Sequence, residues 1–235
     1  LTKMAAEQGA VVKIGAEWKA EVNGDGARLI YNASQFENLV VRGPSSESLI
    51  RCALDADLDL CNINMTPNDG LPGNTIFDGN NHTIYHVKRG ETIAKYAGGT
   101  IYGYGDNVTV KDLTIDGMTV DYTAAVEISR NEYHAFGALA GFVGDGFKAE
   151  NVTVKNVTMN LNLLGEQGDA STSAHLLPAE CIGGLIGYAK GTVTLTGCTV
   201  ENMTVNVTDM NDNGGTQFLI GGLIGYADAL YTQIP

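Results

Sequence analysis

The sequence predicts an all-β protein built as a parallel β-helix, and three observations predict it. The first is a repeat: Gly183-Gly184-Leu185-Ile186-Gly187-Tyr188 recurs letter for letter from Gly221 to Tyr226, with looser copies over Gly137–Phe142 and Gly99–Tyr104. The copies start 38, 46 and 38 residues apart, and a motif at such a period signals a solenoid, propeller or array. The second is a strand block behind each copy. Val108-Thr109-Val110-Lys111-Asp112-Leu113-Thr114-Ile115 is matched slot by slot by the segment starting at Val193, and more loosely by Phe147, Ala149, Val152, Val154, Val157 and Met159. Apolar residues alternate in pairs there, as they do on a strand with one buried face. The third is punctuation: two-residue polar corners such as Asp116-Gly117, and Asn202 with its neighbours, hold turn-forming residues. Short strands, corners and a Gly-rich segment make one coil, which buries its apolar side only by stacking on the next.

Residues 1–45 do not share the repeat and are expected to form an N-terminal cap. Ala10 to Ile14 and Lys19 to Val22 read as short strands, and Asn23-Gly24-Asp25-Gly26 as a turn. Ser34 with Glu37 reads as a capping box opening one short helix, with Phe36, Leu39 and Val40 on a single face. A lid of this kind suits the open end of a solenoid, where apolar side chains and strand edges are otherwise exposed.

Residues 46–235 are expected to be the β-helix, with the last coil incomplete after the fourth repeat. Ser48 to Leu60 reads as one strand with Leu54, Ala56, Leu58 and Leu60 on one face and Asp55, Asp57 and Asp59 on the other. Three polar excursions, Tyr122–Tyr133, Leu163–Glu180 and Thr208–Gln217, interrupt the coils at equivalent points and should emerge from one side. In repeat proteins such insertions commonly mark the binding side.

Composition excludes some partners. With 27 acidic against 14 basic residues the formal charge is −13, which repels nucleic acid and anionic membranes. No run of 18 or more apolar residues is present, so membrane insertion is not expected. The four cysteines permit disulfides in a secreted protein. Cys198, however, occupies the inward slot of Leu113 and Val152, where a free thiol behaves as a small hydrophobe.

Four motifs in order carry a family resemblance: Leu29-Ile30-Tyr31-Asn32-Ala33-Ser34-Gln35-Phe36, then Ala53 to Leu60, then Phe77-Asp78-Gly79-Asn80-Asn81-His82-Thr83-Ile84, then the repeated Gly-Gly-Leu-Ile-Gly blocks. From about residue 27 to its end the chain resembles bacterial surface proteins with GLUG repeats, of the type found in Bacteroidota. The resemblance implies a right-handed parallel β-helix and a secreted or outer-surface location on a Gram-negative cell. It also implies an adhesin-like role with no shared catalytic motif. No cofactor is expected.

Candidate chemistry is sparse. The Asp55, Asp57, Asp59 row could gather a cation, but alternate strand residues stand about 6.6 Å apart, so one ion reaches at most two of them; a solvated face is the ordinary reading. Asp209 to Gly214 fits the first half of a calcium loop, yet position 12 is Ile220 rather than a bidentate Glu. His82 and His86 would lie about 13 Å apart if extended, too far for one ion, and His82 aligns with Leu113, which suits a hydrogen-bonded core histidine. No metal site and no catalytic set is assigned. The candidate binding residues are the aromatic column Tyr104, Phe142, Tyr188 and Tyr226. Facing outward, rings stacked coil upon coil could grip a sugar chain; facing inward they form a packing ladder.

The leading functional expectation is therefore a non-enzymatic surface scaffold whose loops bind a glycan or a host or bacterial surface protein. The rival is a β-helix polysaccharide lyase or glycoside hydrolase. That chemistry needs carboxylates converging across a groove, or Ca²⁺ ligands beside a basic residue, and the strand carboxylates here are dispersed.

Overall fold

The computed structural model describes residues 12–14, 17–19, 23–36, 49–61, 71–89, 99–100, 105–123, 134–163, 180–209 and 218–228. Strands β1 (Val12–Ile14) and β2 (Glu17–Lys19) pair antiparallel. All later pairing is parallel. It links β3 (Arg28–Ile30), β4 (Ile50–Leu54), β5 (Leu58–Asp59), β6 (Thr75–Asp78), β7 (Thr83–Arg89), β8 (Thr109–Thr123), β9 (His134–Gly137), β10 (Ala140–Val143), β11 (Phe147–Leu163), β12 (Glu180–Gly183), β13 (Ile186–Lys190), β14 (Val193–Thr196), β15 (Thr199–Asp209), β16 (Phe218–Gly221) and β17 (Ile224–Asp228). The large sheet runs β3-β4-β6-β8-β11-β14, with β7 beside β8 and β5 beside β7, and β15 beside β11. Two three-stranded sheets, β9-β12-β16 and β10-β13-β17, carry the glycine repeats.

The register is that of the repeat. Val152 pairs with Leu113 and Val154 with both Ile115 and Val200; Tyr188 pairs with Phe142 and with Tyr226. Equivalent residues therefore stack in columns, layer on layer. The inward columns are dry, with Leu113, Ile115, Val152 and Val154 all at 1% exposure or less. Cys198, Val200, Met203 and Val205 continue the same columns in the last described layer, where they are only half buried.

Each layer turns on single residues in the left-handed region. One corner column holds Asn81, Asp112, Asn151 and Gly197, with φ of 63°, 50°, 53° and 63°; a second holds His86, Gly117, Asn156 and Asn202, with φ of 54°, 82°, 57° and 51°. Asn, Asp and Gly are the residues that enter this region most readily. The corners expected at Gly117 and Asn202 are thus present, and they let the long strands β8 and β11 bend without losing their pairing.

The Gly-Gly-Leu-Ile-Gly block has a different physical basis. A Cβ at Gly187 would run into the backbone of Ala135 and Phe136 and lie 2.7 Å from the Gly141 carbonyl oxygen, and one at Gly225 would lie 2.6 Å from the Ile182 nitrogen. The motif is glycine because two strands of neighbouring sheets meet backbone to backbone.

Three local expectations are corrected. Ser48 to Leu60 is not one strand: β4 ends at Leu54, the chain bends at Asp55-Ala56, and β5 resumes at Leu58. The helix, described over 33–36, is capped from Asn32, not Ser34. Asn32 Oδ1 accepts from the Gln35 amide at 3.0 Å, and Gln35 Oε1 accepts from the Tyr31 amide at 2.7 Å. This is a reciprocal cap two residues upstream of the expected one; Glu37, Leu39 and Val40 lie outside the described residues. Finally, β3 falls within the stretch expected as a cap, yet it pairs with β4 in the large sheet, so parallel pairing starts before residue 46.

Two substitutions test this packing by chemical denaturation. Val154→Asp leaves a charge in a dry column and is expected to cost about 4 kcal/mol or more, whereas Val200→Asp, half exposed, costs clearly less. Gly187→Ala is expected to cost about 1–3 kcal/mol, and Gly24→Ala, where a Cβ meets nothing within 4 Å, serves as the near-neutral control.

Candidate functional site

The aromatic column is real and it is packed. Phe142 and Tyr188 stack with ring centroids 5.3 Å apart and planes 7° from parallel; Tyr188 and Tyr226 are also 5.3 Å apart, tilted by 41°. Tyr188 is 4% exposed and sits with Ala135 and Cys181 in a small apolar cluster, against which Phe142 and Tyr226 are half buried. Its hydroxyl donates to Asp228 Oδ2 at 3.2 Å. The faces of the middle ring are therefore occupied by its neighbours, and Tyr188 offers no open stacking platform. Tyr104 lies outside the described residues.

The excursions share one exit and one re-entry. They leave from the ends of β8, β11 and β15, where Asn162 pairs with Thr123 and Leu163 with Asp209. They return at β9, β12 and β16, where Glu180 pairs with both His134 and Phe218. One flank thus carries all three insertions. Their interiors (124–133, 164–179 and 210–217), including His175, Arg130 and the half calcium loop after Asp209, lie outside the described residues.

The foot of this flank holds a buried carboxylate that sequence reasoning missed. Glu180 is 0% exposed. Tyr122 is pushed up to about 12, first by burial and then by the Glu180 charge, and the Cys181 thiol is pushed to about 12 by the same two causes. Tyr122 also packs on Phe136, ring centroids 5.3 Å apart. The three residues lie where polar excursions meet strands, at the end of β8 and the start of β12, but nothing in their local pattern separates a buried Glu from a loop Glu.

The histidines are corrected. His82 is no core residue: its side chain is 30% exposed and Nδ1 stands 3.1 Å from Asp57 Oδ1. His86 occupies a left-handed corner and stands 3.1 Å from Asp59 Oδ1. The Asp row is solvent-exposed, as its ordinary reading has it, with Asp57 and Asp59 paired to the two histidines. Asp57 also accepts from the Thr83 amide and Asp59 from the Cys61 amide. Among the described residues, no group of three or more His, Cys, Asp or Glu side chains is placed to hold a metal ion. The signal for the pairs was the layer offset: Leu58 pairs with Ile84, which brings Asp57 and Asp59 alongside residues 82–86.

A groove of about 330 Å³ lies on the outer face of the large sheet near its start. Asp25, Arg51, Asp78 and Lys111 border it, with Ala53 and Ile76 also lining it. Lys111 Nζ is 2.5 Å from Asp78 Oδ2 and 3.4 Å from Asp112 Oδ2, and Asp78 chiefly holds the ammonium pKa above its usual value. All four cysteines are free thiols, Cys52 and Cys181 buried, Cys61 exposed and Cys198 between. No helix of the described residues is long and apolar enough to cross a membrane.

These environments set the pH limits of stability. The Thr83 amide and His82 hold Asp57 below the usual carboxylate range, and Asn156 and Lys155 do the same for Asp116. A depressed folded pKa gives stability that is complete above the ordinary value of about 4 and is lost as pH falls through the folded one. Cys52 and Cys181, raised from 9.0 to about 12 mainly by burial, act oppositely: between those values the unfolded state loses the proton first, so stability falls as pH rises. Thermal melts across pH are expected to show both limbs, with Asp116→Asn shallowing the acid limb and Cys181→Ala the alkaline one.

No protein-family model matches the chain, and no curated protein matches it. Among solved structures it is similar to that of a "putative immunoglobulin A1 protease" from Bacteroides ovatus, at 15% identity over 95% of this chain and 88% of that one, with a TM-score of 0.33. A likeness at that level transfers neither topology nor activity.

Proposed function

We propose that the chain is a closed, right-handed parallel β-helix of the GLUG-repeat surface type, acting as a non-enzymatic scaffold outside a Gram-negative cell. On this reading its ligand is a glycan or a surface protein, bound on the flank of the three excursions. The observation that carries the proposal is their common exit and re-entry columns, fixed by the pairing of Leu163 with Asp209 and of Glu180 with His134 and Phe218. A solenoid projects equivalent points along one side, so the excursions are positioned to meet one partner together. The half-buried rings of Phe142 and Tyr226 add aromatic contact area to the same repeat units.

The carboxylates support the scaffold reading by what they do. Asp112, Asp116 and Asp121 each accept from the amide of an Asn in the next layer, at 3.0, 2.7 and 2.7 Å. They are engaged in holding layers together, which is a structural use of the groups a glycosidase would need free.

Replacing residues 164–179 by a tight turn is expected to leave the melting temperature nearly unchanged, since excursions of this kind add little to the buried columns, while weakening attachment on a glycan array or to a bacterial surface extract. Attachment that survives removal of all three excursions moves the binding surface elsewhere. Release of reducing sugar from a polysaccharide by the intact chain would replace the scaffold reading with the enzymatic one.

A further inference from the structure

The groove near the start of the large sheet has a simple origin in the sequence. It lies over two outward columns: Arg51 pairs with Ile76, and Ala53 pairs with Asp78, which pairs in turn with Lys111. Ala53 makes the dip. It stands between Leu29 and Asp78 in its column, and a methyl group between two longer side chains leaves a depression. One wall is the turn that starts at Asn23. Asn23 Oδ1 accepts from the amides of Asp25 and Ala27, both at 2.9 Å. Backbone bonds of 3.0 Å from the Gly26 amide to the Asn23 carbonyl and from the Asn23 amide to the Ala27 carbonyl close the turn. Asp25 is therefore carried on a braced wall.

The charges that border the groove do not all cancel. Lys111 is taken up by Asp78 and Asp112. Arg51 and Asp25 remain, one of each sign and both exposed. Both line the groove, yet among the described residues neither makes an ion pair, with the other or with any third group. A guanidinium presents its donors in a planar fork that matches a carboxylate, and a carboxylate across a gap from it can accept from an ammonium. Between them Ala53 and Ile76 add an apolar strip. The volume of about 330 Å³ is at the small end of the range for small-molecule sites.

We infer that this groove binds a free α-amino acid with an uncharged side chain, its carboxylate on Arg51, its ammonium on Asp25 and its side chain over Ala53 and Ile76. The field of the protein selects for such a ligand. With a formal charge of −13 the chain repels simple anions and draws cations without specificity. A zwitterion is neutral as a whole and is held only where both of its charges are met. Asp25 opposes an anion that Arg51 alone would accept, which is discrimination by repulsion. The groove involves none of the strand ends from which the excursions leave, so the inference stands or falls independently of the binding proposed for that flank.

The test is isothermal titration calorimetry of the full chain with glycine, alanine, valine and leucine at millimolar concentration. Glucuronate and the N-acetylated and amide forms of the same amino acids are titrated beside them. The expected result is saturable binding of a free amino acid, weakened by about tenfold or more when either charge of the ligand is removed. Arg51→Gln and Asp25→Asn are each expected to weaken it by about tenfold or more, and Arg51→Lys, which keeps the charge but loses the fork, falls between. Lys148→Gln, in the same outward column as Arg51 but outside the groove, leaves binding unchanged. The replaced side chains are exposed, so an unchanged melting temperature checks that each variant keeps its fold. Heat from none of the four amino acids overturns the inference. So does binding indifferent to both Arg51→Gln and Asp25→Asn. Equal binding of the N-acetylated form or of glucuronate overturns it as well, and makes the groove an anion site.

Discussion

The left-handed corner is the constraint on which the rest of this structure depends. A strand alternates its side chains, so a chain that must turn and still keep apolar residues inward needs its bends at fixed positions in every layer. Here the bend rests on a residue with positive φ, repeated in column: Asn81 (with Asn80 before it), Asp112, Asn151, Gly197, and again His86, Gly117, Asn156, Asn202. For an L-residue that conformation costs roughly 1–2 kcal/mol, and Gly avoids the cost by lacking Cβ. Moving one corner by one residue would send every following inward side chain to the surface. The corners therefore fix the register, and the register fixes the core.

The Asn and Asp residues at and beside the corners recover that cost through their side chains. Asn156 Nδ2 donates to Asp116 Oδ1 at 2.7 Å and Asn202 Nδ2 to Asn156 Oδ1 at 3.3 Å; Asn160 and Asn206 repeat the pattern above Asp121, at 2.7 and 2.8 Å. Cross-strand pairs of this sort contribute roughly 0.2–1 kcal/mol each, and they add up because every layer supplies another. The opposite side of the layer is held by subtraction. At Gly187 and Gly225 the absence of a side chain lets the backbones of neighbouring sheets touch. Amides on one side and glycines on the other explain why a chain so acidic, with so few apolar giants, still packs its inward columns dry.

What could be read from the sequence follows from this division. Columns such as Leu113–Val152–Cys198 were legible because period and alternation are properties of the chain itself, and parallel stacking only reports them. The corner at Gly117 was legible because glycine announces positive φ. His86, at the same position one layer earlier, was not: few histidines adopt that conformation, and only its place in the column explains it. The register keeps His82 level with Leu113 as the count had it, but a place in a column does not fix depth, and the offset between β5 and β7 that brings Asp57 and Asp59 to His82 and His86 differs from the repeat period. The helix cap slid from Ser34 to Asn32 because two capping patterns overlap in Asn32-Ala33-Ser34-Gln35-Phe36-Glu37, and only the burial of Phe36 under the first layers decides between them. The aromatic column was found by its spacing, yet spacing says nothing of depth, and Tyr188 is buried.

Depth also bears on the flank proposed to bind. Insertions that merely decorate a solenoid can hang from any exposed strand end, and their roots need no buried polar group. Here the roots include Glu180, wholly buried, with Tyr122 and Cys181 close enough for its charge to raise both their pKa values. A carboxylate in such a place is costly unless surrounding groups compensate it. Across the layers, Glu180 is paired with His134 and Phe218, the re-entry points of the other two excursions. The three returns are thus fixed against one another by strand pairing. A partner touching all three would meet roots already in their final arrangement, and binding would lose less to ordering than loops on a floppy base would require.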